Sequence, residues 1–149
     1  MSKRKWNIFI EDLTSQFSSD WASRYIEALK NTERKHLKEL FIQFTANRNE
    51  TIEKIEKICK CLELQCHRYK SDSFFFTRLP VLANEVFSDP HALDKGTPLG
   101  RLFLHALAIL QNEPFANDSL KRAEHYMYSG IIMCDISSYV TFAGLIECN

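Results

Sequence analysis

The sequence predicts a mainly α-helical fold with a short β element near the C-terminus, and three observations carry that prediction. Apolar residues recur at three- and four-residue spacing along most of the chain, the period of one helix face. Serine, threonine or aspartate stands ahead of several of these stretches, in two cases followed by proline, as helix caps and first turns require. In "SSYVTFAGL", residues 137–145, the period changes and β-branched and aromatic residues take over, as in a strand.

Taken in order, Ile8, Phe9, Leu13 and Phe17 mark a first helix, and "SSD" behind them offers cap oxygens for a second that carries Trp21, Tyr25 and Leu29 on one face. Thr32 with Glu33 is expected to start a third, whose stripe is Leu37, Leu40, Phe41 and Phe44. After "ANRN", the stripe Ile52, Ile55, Cys59, Leu62 and Cys66 runs along a segment with helix-supporting pairs such as Glu53 and Lys57. The polar "YKSDS" predicts a loop, "FFFTRLP" an extended return to the core, and Pro80 the first turn of a short apolar helix.

"SDPHALDKGTPLGRLFLHAL" then reads as a corner. Asp89 and Pro90 serve as cap and first residue, His91, Ala92, Leu93 and Asp94 as a single turn, Lys95 and Gly96 as its end, and Thr97 and Pro98 as a second start. Leu99, Leu102, Phe103, Ala106, Leu107 and Leu110 make the next helix strongly apolar. Residues 117–119 begin a further helix reaching about Ser129, with Gly130 in the left-handed position beyond its end. The final strand needs a partner, either an earlier extended piece such as residues 74–76 or sequence outside this chain.

Composition narrows the function classes. A chain of 149 residues suits one domain, and 45% hydrophobic with 26% charged residues is the balance of an ordinary globular protein. Nineteen basic and nineteen acidic side chains cancel, so no long-range field points to nucleic acid. A local patch remains at Lys3, Arg4 and Lys5, read either as candidate DNA phosphate contacts or as a solvated end. No apolar run reaches the eighteen or so residues of a spanning helix, no signal-peptide core follows Met1, and five cysteines suit reduced thiols, so a cytoplasmic protein without membrane partners is expected.

Two clusters bear on chemistry. Asp89, His91 and Asp94 would support a small metal-dependent hydrolase if they converged on an ion; ordinary turn chemistry also accounts for them, with Asp89 capping and Asp94 capping or pairing with Lys95 or Arg101. Cys59 and Cys66 share a helical face, whereas Cys61 is rotated about 200° from Cys59, so one helix cannot aim all three at one metal unless it breaks and His67 joins. Small buried hydrophobes plus one exposed thiol is the simpler expectation. No nucleophile elbow, phosphate-binding glycine loop or H-E-x-x-H pattern occurs, and "FFF" reads as core.

"LPVLANEVFSDPHALDKGTPLGRLFLHALA" and, some twenty residues on, "GIIMCDISSYVTFAGL" together resemble the N-terminal region of the Toprim-containing JetD-type nuclease subunits of Wadjet plasmid-defence systems. The resemblance is specific over residues 79–108 and good over 130–145. Asp89, Pro90, His91, Ala92, Leu93, Asp94, Gly96, Pro98, Leu99, Gly100, Arg101, Gly130, Asp135, Ser137 and Ser138 carry it. It implies a single N-terminal helical arm over residues 1–149 and, beyond it, a Toprim half absent from this chain whose carboxylates would hold divalent metal for DNA cleavage. No catalytic, cofactor or metal residue is then expected here. The implied partners are SMC-like motor proteins, a second copy of the chain, and DNA. A metal-dependent hydrolase at Asp89, His91 and Asp94, or a free-standing helical interaction module, are the rival readings.

Overall fold

The computed structural model describes residues 2–71, 76–115 and 118–133. Among them are seven helices: α1 (Ser2–Gln16), α2 (Asp20–Leu29), α3 (Lys35–Ala46), α4 (Arg48–Ser71), α5 (Leu79–Phe87), α6 (Pro98–Leu110) and α7 (Ser119–Tyr128). Two short strands, β1 (Thr77–Arg78) and β2 (Ile131–Ile132), pair in parallel, with Thr77 opposite Ile131. The fold is thus mainly helical with a small β element, as the periodicity predicts. The chain divides into two compact units, residues 1–66 and 67–149.

In the first unit α1 packs against α2 and α3 through Trp6, which is fully buried. Its indole meets Phe44 and Phe41 edge-on at centroid distances of 5.1 and 5.6 Å, and Phe9 stacks on Phe44 at 5.7 Å. The Trp6 Nε1–H donates to the Leu29 carbonyl at 3.1 Å, so the one polar atom of the indole is satisfied and the end of α2 is tied to α1. Ser19 caps α2 by accepting from the Ala22 amide, and the Glu63 carboxylate of α4 accepts from the Ser18 and Ser19 amides at 2.9 and 3.0 Å.

The third helix begins later than Thr32 and Glu33 suggest. The Asn31 side chain accepts from the Glu33 amide, and the Thr32 hydroxyl accepts from the Lys3 ammonium, so residues 31–34 form a turn and α3 starts at Lys35 without a side-chain cap. Asn47 separates α3 from α4: its side-chain oxygen accepts weakly from the Glu50 backbone amide while its side-chain Nδ2 donates to the Glu50 carboxylate. Residues 69–71 of the loop expected at "YKSDS" are helical instead, and its last two residues lie outside the described residues: α4 continues through Ser71, with Arg68 and Lys70 in its last turn, where positive charge favours a helix end. Arg68 pairs with Glu85 of α5.

Burial along α4 covers two stripes rather than one. Ile55, Cys59, Leu62 and Cys66 are buried as predicted, and Ile58, Cys61 and Gln65 form a second, so the thiol expected to be exposed is fully enclosed. Burial pushes the Cys61 thiol up to about 12 and raises Cys59 as well, since an apolar surround disfavours the thiolate.

In the second unit α6 packs on α7, and Phe103, Ala106 and Leu107 of α6 are buried. Gln111 joins the two helices at their far ends. Its side-chain oxygen lies 2.8 Å from His125 Nδ1, while its amide donates to the His125 carbonyl and the Ser129 hydroxyl. The last contacts require His125 to donate through Nδ1. Asp118 caps α7, and Gly130 at φ 74° turns the chain from α7 into β2, where its carbonyl accepts from the Thr77 amide. Asp135, Ser137, Ser138, the strand expected over 137–145, its suggested partner at 74–75, and Asn117 lie outside the described residues.

Two measurements follow. Glu63→Ala leaves two amides at the start of α2 without their acceptor, and it is expected to cost about 1–3 kcal/mol in chemical denaturation. Burial also holds His125 and His36 below the ordinary imidazole value of 6.5, so below that pH the unfolded chain takes up protons the folded chain refuses. The urea midpoint is therefore expected to fall as pH drops through 6.5 toward 5, and to fall less in His125→Gln.

Candidate functional site

The corner between α5 and α6 is built almost entirely from side chains bonded to nearby main chain. Ser88 ends α5 in the left-handed region at φ 57°. Asp89 then accepts from the His91 amide at 2.9 Å, the local bond by which aspartate starts a turn, and the Ala92 amide closes that turn on the Asp89 carbonyl. Leu93 and Ala92 point inward and are buried. Gly96, at φ 88°, takes the left-handed step expected of it.

Thr97 and Gly100 complete the corner. The Thr97 hydroxyl lies 2.9 Å from the Ala92 carbonyl and 2.8 Å from the Asp94 carbonyl, to which it donates, and it accepts from the Gly100 amide at 3.0 Å. Thr97 is thus the cap of α6, with Pro98 as its first residue. Gly100 passes so close that a Cβ there would stand 2.5 Å from the Asp94 carbonyl oxygen and 2.7 Å from that of Leu93.

The three side chains read as potential ligands separate into two tasks. His91 Nδ1 and Asp94 Oδ2 lie 2.8 Å apart on the exposed side of the turn, while the Asp89 carboxylate faces the backbone. Asp94 therefore pairs with His91, not with Lys95 or Arg101. Among the described residues no group of three histidine, cysteine, aspartate or glutamate side chains is arranged to hold a metal ion. Cys59, Cys61 and Cys66 lie on an unbroken helix, and His67 is exposed on its surface.

Beside the corner lies a cleft of about 340 Å³ lined by Lys95, Thr97, Gly100, Arg101, Leu104 and Arg122. It borders the first turn of α6 and receives Arg122 from α7, which is only 4% exposed. The Arg101 guanidinium sits over the Phe115 ring at 5.5 Å, and Phe115 stacks on His105 at 3.8 Å. Sequence reasoning missed Arg122 because "SLKRAEH" looks like a solvated helix face. Its place four residues before the buried Tyr126 was the available signal.

Lys3, Arg4 and Lys5 fall within α1, not in a loose tip. Lys3 donates to Thr32 at 2.9 Å and lies 5.4 Å from the centre of the Phe41 ring, whereas Arg4 and Lys5 are exposed. Among the described residues no helix is long and apolar enough to cross a membrane.

Substitutions at the two corner glycines separate space from backbone strain. Gly100→Ala drives a methyl group into two carbonyl oxygens and is expected to cost about 3 kcal/mol or more, as overpacking at fixed backbone does. Gly96→Ala meets open space and suffers only its positive φ, at about 1 kcal/mol. Thermal unfolding of the two variants checks the order.

Neither the curated proteins nor the solved structures offer a match to this chain. A family model described as "Protein of unknown function N-terminus (DUF3323)" matches residues 1–147. With all but the last two residues covered, the chain belongs to the DUF3323 N-terminal family.

Proposed function

We propose that this chain is the non-catalytic N-terminal domain of a Wadjet-like plasmid-defence nuclease subunit, serving to dock the subunit onto SMC-like motor proteins or onto a second copy, and to contact DNA. The observation that carries the reading is the bonding of "DPHALDKGTPLGRL", the stretch that most resembles the JetD-type subunits. Asp89 and Thr97 bond main-chain groups, and Gly100 admits a close backbone approach, so the stretch delivers an apolar helix to the interior. The family's description as an N-terminus agrees with a leading arm.

In this reading divalent metal and DNA cleavage belong to a Toprim half. Docking would use exposed apolar side chains, of which Leu120 and Tyr128 on α7 are 57% and 68% accessible. Arg4 and Lys5, with Lys3 held to Thr32, are the candidate DNA contacts of α1.

The test is co-expression with the SMC-like motor proteins together with a cleavage assay in magnesium or manganese. Retention of the motor proteins, weakened about tenfold by Leu120→Asp with Tyr128→Asp, is the expected outcome. Asp89→Ala should lower the melting temperature without removing any activity. DNA cleavage by the purified chain that Asp89→Ala or Asp94→Ala abolishes would overturn the proposal and favour the metal-dependent hydrolase.

A further inference from the structure

We propose that the cleft between the first turn of α6 and Arg122 of α7 binds a phosphate group. The inference is independent of the nuclease reading, because it rests on the cleft alone. Three cationic side chains, Lys95, Arg101 and Arg122, line it; Asp94, next to Lys95, pairs with His91, and Glu124, two residues from Arg122, pairs with Lys121. The positive end of the thirteen-residue helix α6 faces the same space, and helix starts attract anions through their dipole.

Arg122 supplies the independent observation. It is the one lysine, arginine, aspartate or glutamate that is buried among the described residues, and among those residues its guanidinium has no ion pair. A guanidinium does not escape burial by losing its proton, so its charge has to be met by an anion or by water. An anion in the cleft meets it.

Phosphate fits better than a carboxylate on two grounds. Its oxygens point in several directions and so engage cations arriving from different elements, and the arginine fork takes two of them at once. A cleft of about 340 Å³ also holds the group with room for what is attached to it. Two sources share this chemistry: a backbone phosphate of DNA, or a small phosphate compound.

The experiment is thermal unfolding of the whole chain in sodium phosphate against sodium chloride at matched pH and ionic strength. A saturable rise in melting temperature is expected, roughly 5–10 °C at a hundredfold excess over the dissociation constant. Arg122 is buried, so the test variant is the exposed pair Lys95→Gln with Arg101→Gln, which should fold normally and lose at least half of the rise. Equal melting temperatures in the two salts, or a full rise in the paired variant, would overturn the proposal. Anisotropy with a labelled DNA duplex separates the sources. DNA binding weakened tenfold by the pair and competed by phosphate identifies a backbone phosphate, while DNA binding unchanged by the pair, with phosphate protection lost, identifies a small ligand. Replacing Lys3, Arg4 and Lys5 by glutamine should leave the phosphate response intact.

Discussion

The second unit depends on one hydroxyl. Thr97 Oγ1 lies within 2.9 Å of the Ala92 and Asp94 carbonyls and accepts from the Gly100 amide, so a single side chain fixes the end of one turn to the start of the next helix. Its proton is shared between two acceptors, and its lone pair satisfies an amide that α6 leaves unbonded at its start. Because Gly100 lacks a Cβ, the first turn of α6 sits directly against the Leu93 and Asp94 carbonyls. The axis of α6 is thereby set, and Phe103, Ala106 and Leu107 follow into the interior at helical spacing.

The first unit reaches the same end by different means. There the constraint is aromatic: Trp6 meets Phe44 edge-on and Phe9 at a tilt, and Phe9 stacks on Phe44, geometries that fix relative orientation as well as burying area. The indole N–H on the Leu29 carbonyl and Glu63 on the Ser18 and Ser19 amides then secure the two ends of α2. Both units thus fix helix termini through side chains distant in sequence or across a turn, where the backbone alone leaves groups unsatisfied.

These differences explain which parts were legible in the sequence. The helices and the corner were readable because their signals are local: stripes at three and four residues, caps such as Ser19, Thr97 and Asp118, and glycines at positive φ. The start of α3 has no such local signal, since Thr32 is drawn to Lys3, a partner 29 residues away. Cys61 was expected at the surface because one stripe suffices for a helix with one covered side, whereas α4 is covered along two. The pairing of β1 with β2, across more than fifty residues, has no local signal at all. At the site, the left-handed glycine was visible in advance, but the forbidden Cβ at Gly100 depends on carbonyls brought close only by the folded turn.

Net charge illustrates the same limit. A sum of zero excludes a broad field but says nothing of how individual charges pair. Here the histidine of the corner draws Asp94 to the exposed side of the turn, which leaves Lys95 and Arg101 at the cleft without that carboxylate. Arg122 adds a third positive charge from α7, in a place where water cannot screen it fully. Local turn geometry, by deciding which acid answers which base, therefore creates a positive cleft on a neutral protein, and it does so with residues that a reading of composition would pair off and dismiss.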